Sequence, residues 1–226
     1  MFPLPIPIGT DRRLQSFPYA TVSLIVANLF VYFVLQQMLG RENFSLVATR
    51  FEWWMPVTYM FAHGGFWHLA GNMLFLWVFG AHAEDALGRG RYLLVYFSAG
   101  FFSGLLHVMS SHLFYPADLQ IGLIGASGAI MGIVALFALR FHGVNVRFFF
   151  WWWWFIRVFM VRALWVGIGY VAYNLLSALI AAAMPGGGVA YWAHIGGFIA
   201  GAGWAFALRL PGEGTDEMRQ DEVSRL

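Results

Sequence analysis

The sequence predicts an all-α integral membrane protein, a bundle of six transmembrane helices with both termini cytoplasmic. Three observations carry that expectation. Hydrophobic residues make up 60 % of the 226 residues and charged ones 11 %, with a mean hydropathy of +0.67. A soluble domain carries about 25 % charged residues, because its surface must be covered by something polar. Six segments approach the roughly 20 apolar residues that cross a hydrocarbon core. The arginines, finally, segregate to one side of those segments.

In chain order the expected spans are residues 18–39, 66–83, 92–112, 121–140, 163–184 and 190–208. The first follows Asp11-Arg12-Arg13, but its apolar run is too long for a signal peptide and no small-residue cleavage site follows it. It reads as a retained span. With the N-terminus inside, eleven of the 13 basic residues lie in inside segments and only Arg41 and Arg50 lie outside. The positive-inside rule then makes both termini cytoplasmic. The short loops 113–120 and 185–189 carry no basic residue, as outside loops should.

Residues 148–155 read FFFWWWWF between Arg147 and Arg157, in the inside loop before the fifth span. Tryptophan favours the headgroup layer, so this run reads as an interfacial aromatic anchor; a quinone or lipid site is the second reading. There is no internal repeat. The chain reads as one domain, 1–226, with a short N-terminal segment 1–17 and a polar tail 210–226.

Every basic residue is arginine, and cysteine is absent. That excludes disulfides, thiolate nucleophiles, Cys-ligated zinc and iron–sulfur clusters. A net charge of +2 leaves no nucleic-acid footprint.

Polar groups inside spans are costly and mark candidate sites. Four belong together: His68 and Asn72 in the second span, Ser127 in the fourth and His194 in the sixth. These even-numbered spans all run from outside to inside. At 1.5 Å per residue, Ser127 lies about 9 Å below the start of its span, His194 about 6 Å, and His68 and Asn72 about 3–9 Å. Topology alone gives them similar depth.

Local spacing adds to the coincidence. His68 and Asn72 are four apart and share a helix face. His194 is followed by Gly197 and Gly201 on or beside its own stripe, and Ser127 sits among Gly125, Ala126, Gly128, Ala129 and Gly132. Small residues let helices approach closely, so Ser127 can reach His194. Histidine is the usual base for a serine nucleophile. Nearby His and Asn side chains and helix N-terminal amides are what an oxyanion requires. Singly, each residue reads as packing or interhelical glue; together they point to a site. No Asp or Glu is placed to complete a triad, so a serine enzyme here would use a Ser127–His194 dyad.

His63, His68, His107 and His194 leave a haem or metal site as an alternative. The spans offer few carboxylates to orient such ligands, since Glu84 and Asp85 sit at the inner end of the second span and Asp118 in a loop.

The chain resembles the rhomboid family of intramembrane serine proteases in its compact six-span bacterial form. The resemblance rests on Phe61-Ala-His63, His68-Leu-Ala-Gly-Asn72, Glu84 to Gly88, Gly125-Ala-Ser127-Gly128 and Ala193-His194-Ile-Gly-Gly197-Phe-Ile-Ala-Gly201. It implies Ser127 as nucleophile, His194 as general base, and His68, Asn72 and the Ser127 amide as oxyanion hole. It implies Gly125 and Ala126 as site-lining and the loop 185–189 with the fifth span as mobile cap and gate. Gly128, Met131, Gly197 and Gly201 read as support, and His63 either supports the site or sits at the interface. Substrates would be single- or multi-span membrane proteins, cut after a small residue where the helix unwinds near the outer face. No cofactor, metal or nucleic acid is implied, and the location would be the bacterial inner membrane.

Two positions depart from the family pattern. Met131 stands where many relatives have a tyrosine stacking on the histidine, and Met55 follows Trp54 where arginine is common. A rhomboid-like protein that binds helices without cleaving is the non-enzyme alternative; such proteins typically lose the serine or the histidine, and this chain keeps both.

Overall fold

A computed structural model describes residues 5–114, 116, 119–182 and 189–208. Six helical rods build a bundle. The first, α1, runs Tyr19–Leu39, and a π-helical stretch, Val31–Leu35, interrupts its α geometry. The second, α2, comprises Phe66–Phe75, a π-helical stretch Leu76–Gly80 and Ala81–Leu87. Then follow α3 (Arg89–Phe114), α4 (Ser127–Arg140), α5 (Ala163–Ala182) and α6 (Val189–Ala207). Among the described residues Tyr19–Leu39, Arg89–Phe114 and Ala163–Ile180 are long and apolar enough to span a bilayer, and Ser127–Arg140 is a shorter apolar helix. The chain is mostly helical and its helices are those of an integral membrane protein.

Helix α4 is the buried centre: from Gly128 to Ala138 every residue is buried. It departs from the expected span in where it begins. Residues 121–126 are not helical, and α4 starts at Ser127 itself. A two-way backbone bridge between Leu123 and Leu46 holds this segment in extended form. Gly125, at φ +114°, then turns the chain into the helix with an angle that side-chain-bearing residues rarely adopt. The serine's depth therefore comes from a loop that dips into the bundle rather than from helical turns above it.

Within the stretch between α1 and α2, Leu46, Val47, Met55, Tyr59, Met60, Ala62 and His63 are buried. A single turn, Met55–Thr58, leads into buried Tyr59 and Met60, and Tyr59 donates to the Gly100 carbonyl at 2.7 Å.

At the other end lies a three-stranded antiparallel sheet that the all-helical expectation lacked. Strands β1 (Ile6–Thr10), β2 (Asn145–Trp152) and β3 (Phe155–Arg162) are ordered β1-β2-β3. The aromatic run 148–155, expected as an interfacial anchor, supplies most of β2, the turn and the first residue of β3 in a hairpin in full register from Asn145↔Arg162 to Trp152↔Phe155. Aromatic and β-branched residues fit a pleated surface, which is why this segment takes strand form. Trp153 turns the hairpin at φ +53°, and Trp154 at its tip is 91 % exposed.

Carboxylates tie the sheet end together. Glu84, 3 % exposed, accepts from the Ala20 and Thr21 amides at 2.8 and 2.7 Å and so satisfies two open donors at the start of α1. Asp85 accepts from the Gln15 and Ser16 amides, the Ser16 hydroxyl and Arg12. Asp11 accepts from the Asn145 amide and side chain, joining β1 to β2.

Candidate active site

The loop end of the bundle brings together the four residues the sequence singled out. Backbone contact does the positioning. A Cβ at Gly197 would overlap the Gly128 carbonyl, and one at Gly201 the Gly132 carbonyl, so α6 lies directly on α4 with no side chain between them. The spacing of glycines after His194 is thus the geometric condition for close approach. At this separation Ser127 Oγ is 2.8 Å from His194 Nε2.

The histidine's other nitrogen has a partner that the sequence reading missed. His194 Nδ1 lies 2.7 Å from Asn174 Oδ1 of α5, and Asn174 is 4 % exposed. Its amide orientation is set, because Asn174 Nδ2 donates to the Tyr170 carbonyl at 2.8 Å. The oxygen therefore faces the ring and accepts from Nδ1–H. Nε2 is left bare to accept from the serine hydroxyl. The hydrogen-bonded pair Ser127–His194 thus has a third neighbour. The signal that could have found it is the one applied to the others, a polar side chain inside an apolar span. Counting from the expected end of that span put Asn174 about 15 Å deep, off the common level.

Support for the histidine was expected from Met131. Met131 is one of the buried core residues of α4, and a hydrogen bond to the His194 ring comes from Asn174.

His68 and Asn72 converge on Gly125. A side chain there would meet His68 Cε1 and Nε2 at 2.9 Å and come within 3.6 Å of Asn72 Nδ2. His68 Nδ1 accepts from the Gly64 amide at 3.3 Å, so in the neutral ring the proton sits on Nε2, the nitrogen facing the glycine. Asn72 is 8 % exposed, and its Nδ2 finds no acceptor among the described residues. Ser127 opens α4, with no side-chain cap on the helix, so the first amides of α4 lack intrahelical acceptors as well. Ala126, fully buried, joins Gly125 to the serine, and the Gly125 amide donates to the Tyr59 carbonyl at 2.8 Å, fixing the turn.

His63 supports rather than lines the site. Its ring packs edge-on against His68 at 5.1 Å, and the Gln36 amide brackets its backbone by bonding both its N–H and its carbonyl. Among the described residues no three His, Cys, Asp or Glu side chains group as a metal site. Ser127 and His194 are half-buried and His68 is exposed, so the cluster opens to the surface at this end. The expected cap falls on residues 185–188, outside the described residues, together with the next residue, Val189, which begins α6.

A hydroxyl bonded to a tautomer-fixed imidazole, beside converging donors, is an arrangement for acyl transfer. Comparison with known proteins identifies the family. A family model of the rhomboid domain matches residues 50–211. The chain belongs to the rhomboid family. Rhomboid protease GluP of Bacillus subtilis (strain 168) is 31 % identical over 175 residues, 77 % of this chain and 30 % of that protein. Putative rhomboid protease YdcA of the same organism is 32 % identical over 131 residues, 55 % of this chain and 63 % of that one. Rhomboid protease AarA of Providencia stuartii is 30 % identical over 135 residues, 51 % and 48 % respectively. The matched stretch is less than two thirds of each relative's length.

Proposed function

We propose that this chain is a serine-type intramembrane endopeptidase that cuts the transmembrane helices of other membrane proteins. The observation that carries the reading is the 2.8 Å contact between Ser127 Oγ and His194 Nε2, next to the unpartnered donor of Asn72. The protease names of the relatives support it.

The chemistry follows from the donors and acceptors. His194 Nε2 takes the Ser127 proton as Oγ bonds to the scissile carbonyl carbon. The negative oxygen is received by His68 Nε2–H, Asn72 Nδ2–H and the Ser127 amide. The tetrahedral species collapses when Nε2 gives its proton to the leaving amine and the C–N bond breaks. Water then repeats the sequence on the acyl-enzyme: its proton goes to Nε2, its oxygen bonds to carbon, and Oγ leaves with the proton. Each donor aimed at the developing oxyanion contributes about 2.7–4 kcal/mol to the barrier lowering.

The termini are cytoplasmic in this reading, because the sheet end carries most of the arginines and the loop end holds Arg41 and Arg50. The site then sits in the outer half of a bacterial inner membrane, where water reaches it without crossing the hydrocarbon core. A substrate helix must unwind there, which Gly, Pro and small residues make least costly. The hairpin of β2 and β3 lies in the inner headgroup layer, held by its exposed tryptophans.

The test is release of fragments from a single-span substrate by purified protein in liposomes, together with labelling by a fluorophosphonate. Labelling of wild type but not of Ser127→Ala supports the reading. Helix binding without cleavage or labelling sinks it in favour of a non-cleaving binder.

A further inference from the structure

We infer that Asn174 is a positioning residue for His194, holding the imidazole in the single tautomer and ring orientation in which Nε2 accepts the serine proton. The inference rests on the reading of Ser127 and His194 as the catalytic pair and extends it from two residues to three.

Two hydrogen bonds act in series. Asn174 Nδ2 donates 2.8 Å to the Tyr170 carbonyl one turn back on α5, so the amide cannot turn over without losing that bond. Its Oδ1, 2.7 Å from Nδ1, is an acceptor only, and it admits only the ring form with the proton on Nδ1. A neutral imidazole in water populates both tautomers, and only the form with bare Nε2 can take the hydroxyl proton. Fixing it removes the inactive form. It also prevents ring rotation about χ2, which would turn a carbon toward Ser127.

The same bond persists when Nε2 is protonated, since Nδ1–H still faces the amide oxygen. The partial negative charge of that oxygen then lies against the imidazolium. Asn174 itself neither gains nor loses a proton, and it touches neither substrate nor reacting atoms. Its place in the fold is also specific. The inward residues of α5 are spaced at helical intervals, with Ala163, Val166, Asn174 and Ala178 buried, and Asn174 is the polar member of that stripe.

The test combines a spectroscopic and a kinetic readout on the full chain in liposomes. Nitrogen NMR of histidine-labelled protein reports which ring nitrogen of His194 bears the proton, with the signal assigned by its loss in His194→Gln. The expected result is a proton on Nδ1 in wild type and a mixture of tautomers in Asn174→Leu. Cleavage by Asn174→Leu should fall on the order of 10²-fold in kcat with KM within about twofold. Asn174→Asp presents an acceptor at the same place and should restore most of the rate. If the Leu variant does not fold, Asn174→Ala serves the same comparison.

A proton on Nε2 in wild type overturns the inference, as does wild-type kcat in Asn174→Leu, or equal impairment of the Asp and Leu variants. The tautomer measurement does not need turnover. Wild-type protein that neither cleaves nor labels, yet loses the Nδ1 proton on Asn174→Leu, would refute the protease reading while leaving Asn174's role intact.

Discussion

Helices α4 and α6 meet backbone against backbone, whereas α5 reaches the bundle along one narrow stripe. At the α4–α6 seam glycines face carbonyls, and nothing can slide between them. On α5, Trp165, Ile168, Tyr173, Leu176 and Leu179 are exposed, and the inward stripe is made of small residues and one asparagine. The site draws on both. The distance from Ser127 to His194 is set by the rigid seam, while the second hydrogen bond of the histidine hangs from a peripheral helix. Rigid packing fixes the serine against the histidine, and a looser neighbour orients the ring.

Substitutions at the reacting pair should have the largest effect. Ser127→Ala and His194→Ala should each lower cleavage by about 10⁴-fold or more. Fragment release by either variant at the wild-type rate would mean the seam serves packing alone. Removing a donor beside the pair is milder. His68→Ala or Asn72→Ala should reduce kcat by about 10²–10³-fold, about 2.7–4 kcal/mol; an unchanged kcat with raised KM would make them substrate-binding groups instead.

The seam and the peripheral helix can be compared directly through glycine. Gly197→Val drives a side chain into the Gly128 carbonyl, so backbone must move. A loss of about 3 kcal/mol, read as a lower melting temperature in detergent, is expected, with activity lost as Ser127 and His194 separate. At Gly169 of α5 a Cβ meets nothing within 4 Å. Gly169→Ala should leave stability unchanged or raise it by up to about 1 kcal/mol through helix propensity. Equal damage at both positions would mean that α5 packs as tightly as the α4–α6 seam.

The sheet end should affect stability without touching the pair. At Asp85 burial pushes the carboxyl up, but hydrogen bonds from Ser16, Arg12 and the Gln15 amide, with the Arg12 charge, outweigh it and hold the group below its ordinary 3.8. Its stabilisation is therefore complete above about pH 4 and lost as pH falls through the lowered value. Asp85→Asn should cost about 1–3 kcal/mol at pH 7 and flatten the acid side of a melting-temperature profile. A change in Ser127 labelling by this variant would mean the two ends are coupled.

Much of this protein is legible residue by residue. Length and apolarity mark the segments from which α1 to α6 are built. The rarity of polar side chains within them exposes His68, Asn72, Ser127 and His194. The glycines three and seven positions beyond His194 announce the close approach to α4. These are local properties, because the cost of a polar group in an apolar span and the bulk of a side chain belong to one residue at a time.

Three features were decided only in three dimensions. The segment before Ser127 leaves the helix because Leu46, 77 residues earlier in the sequence but adjacent in space, pairs with Leu123. The aromatic run, whose residues suit a strand, is placed in a ladder by β1 on one side and β3 on the other. Asn174 reaches His194 because the offset and crossing of α5 and α6 bring two depths into register. Each depends on how two distant elements sit against one another, and spacing within a single helix carries no information about that.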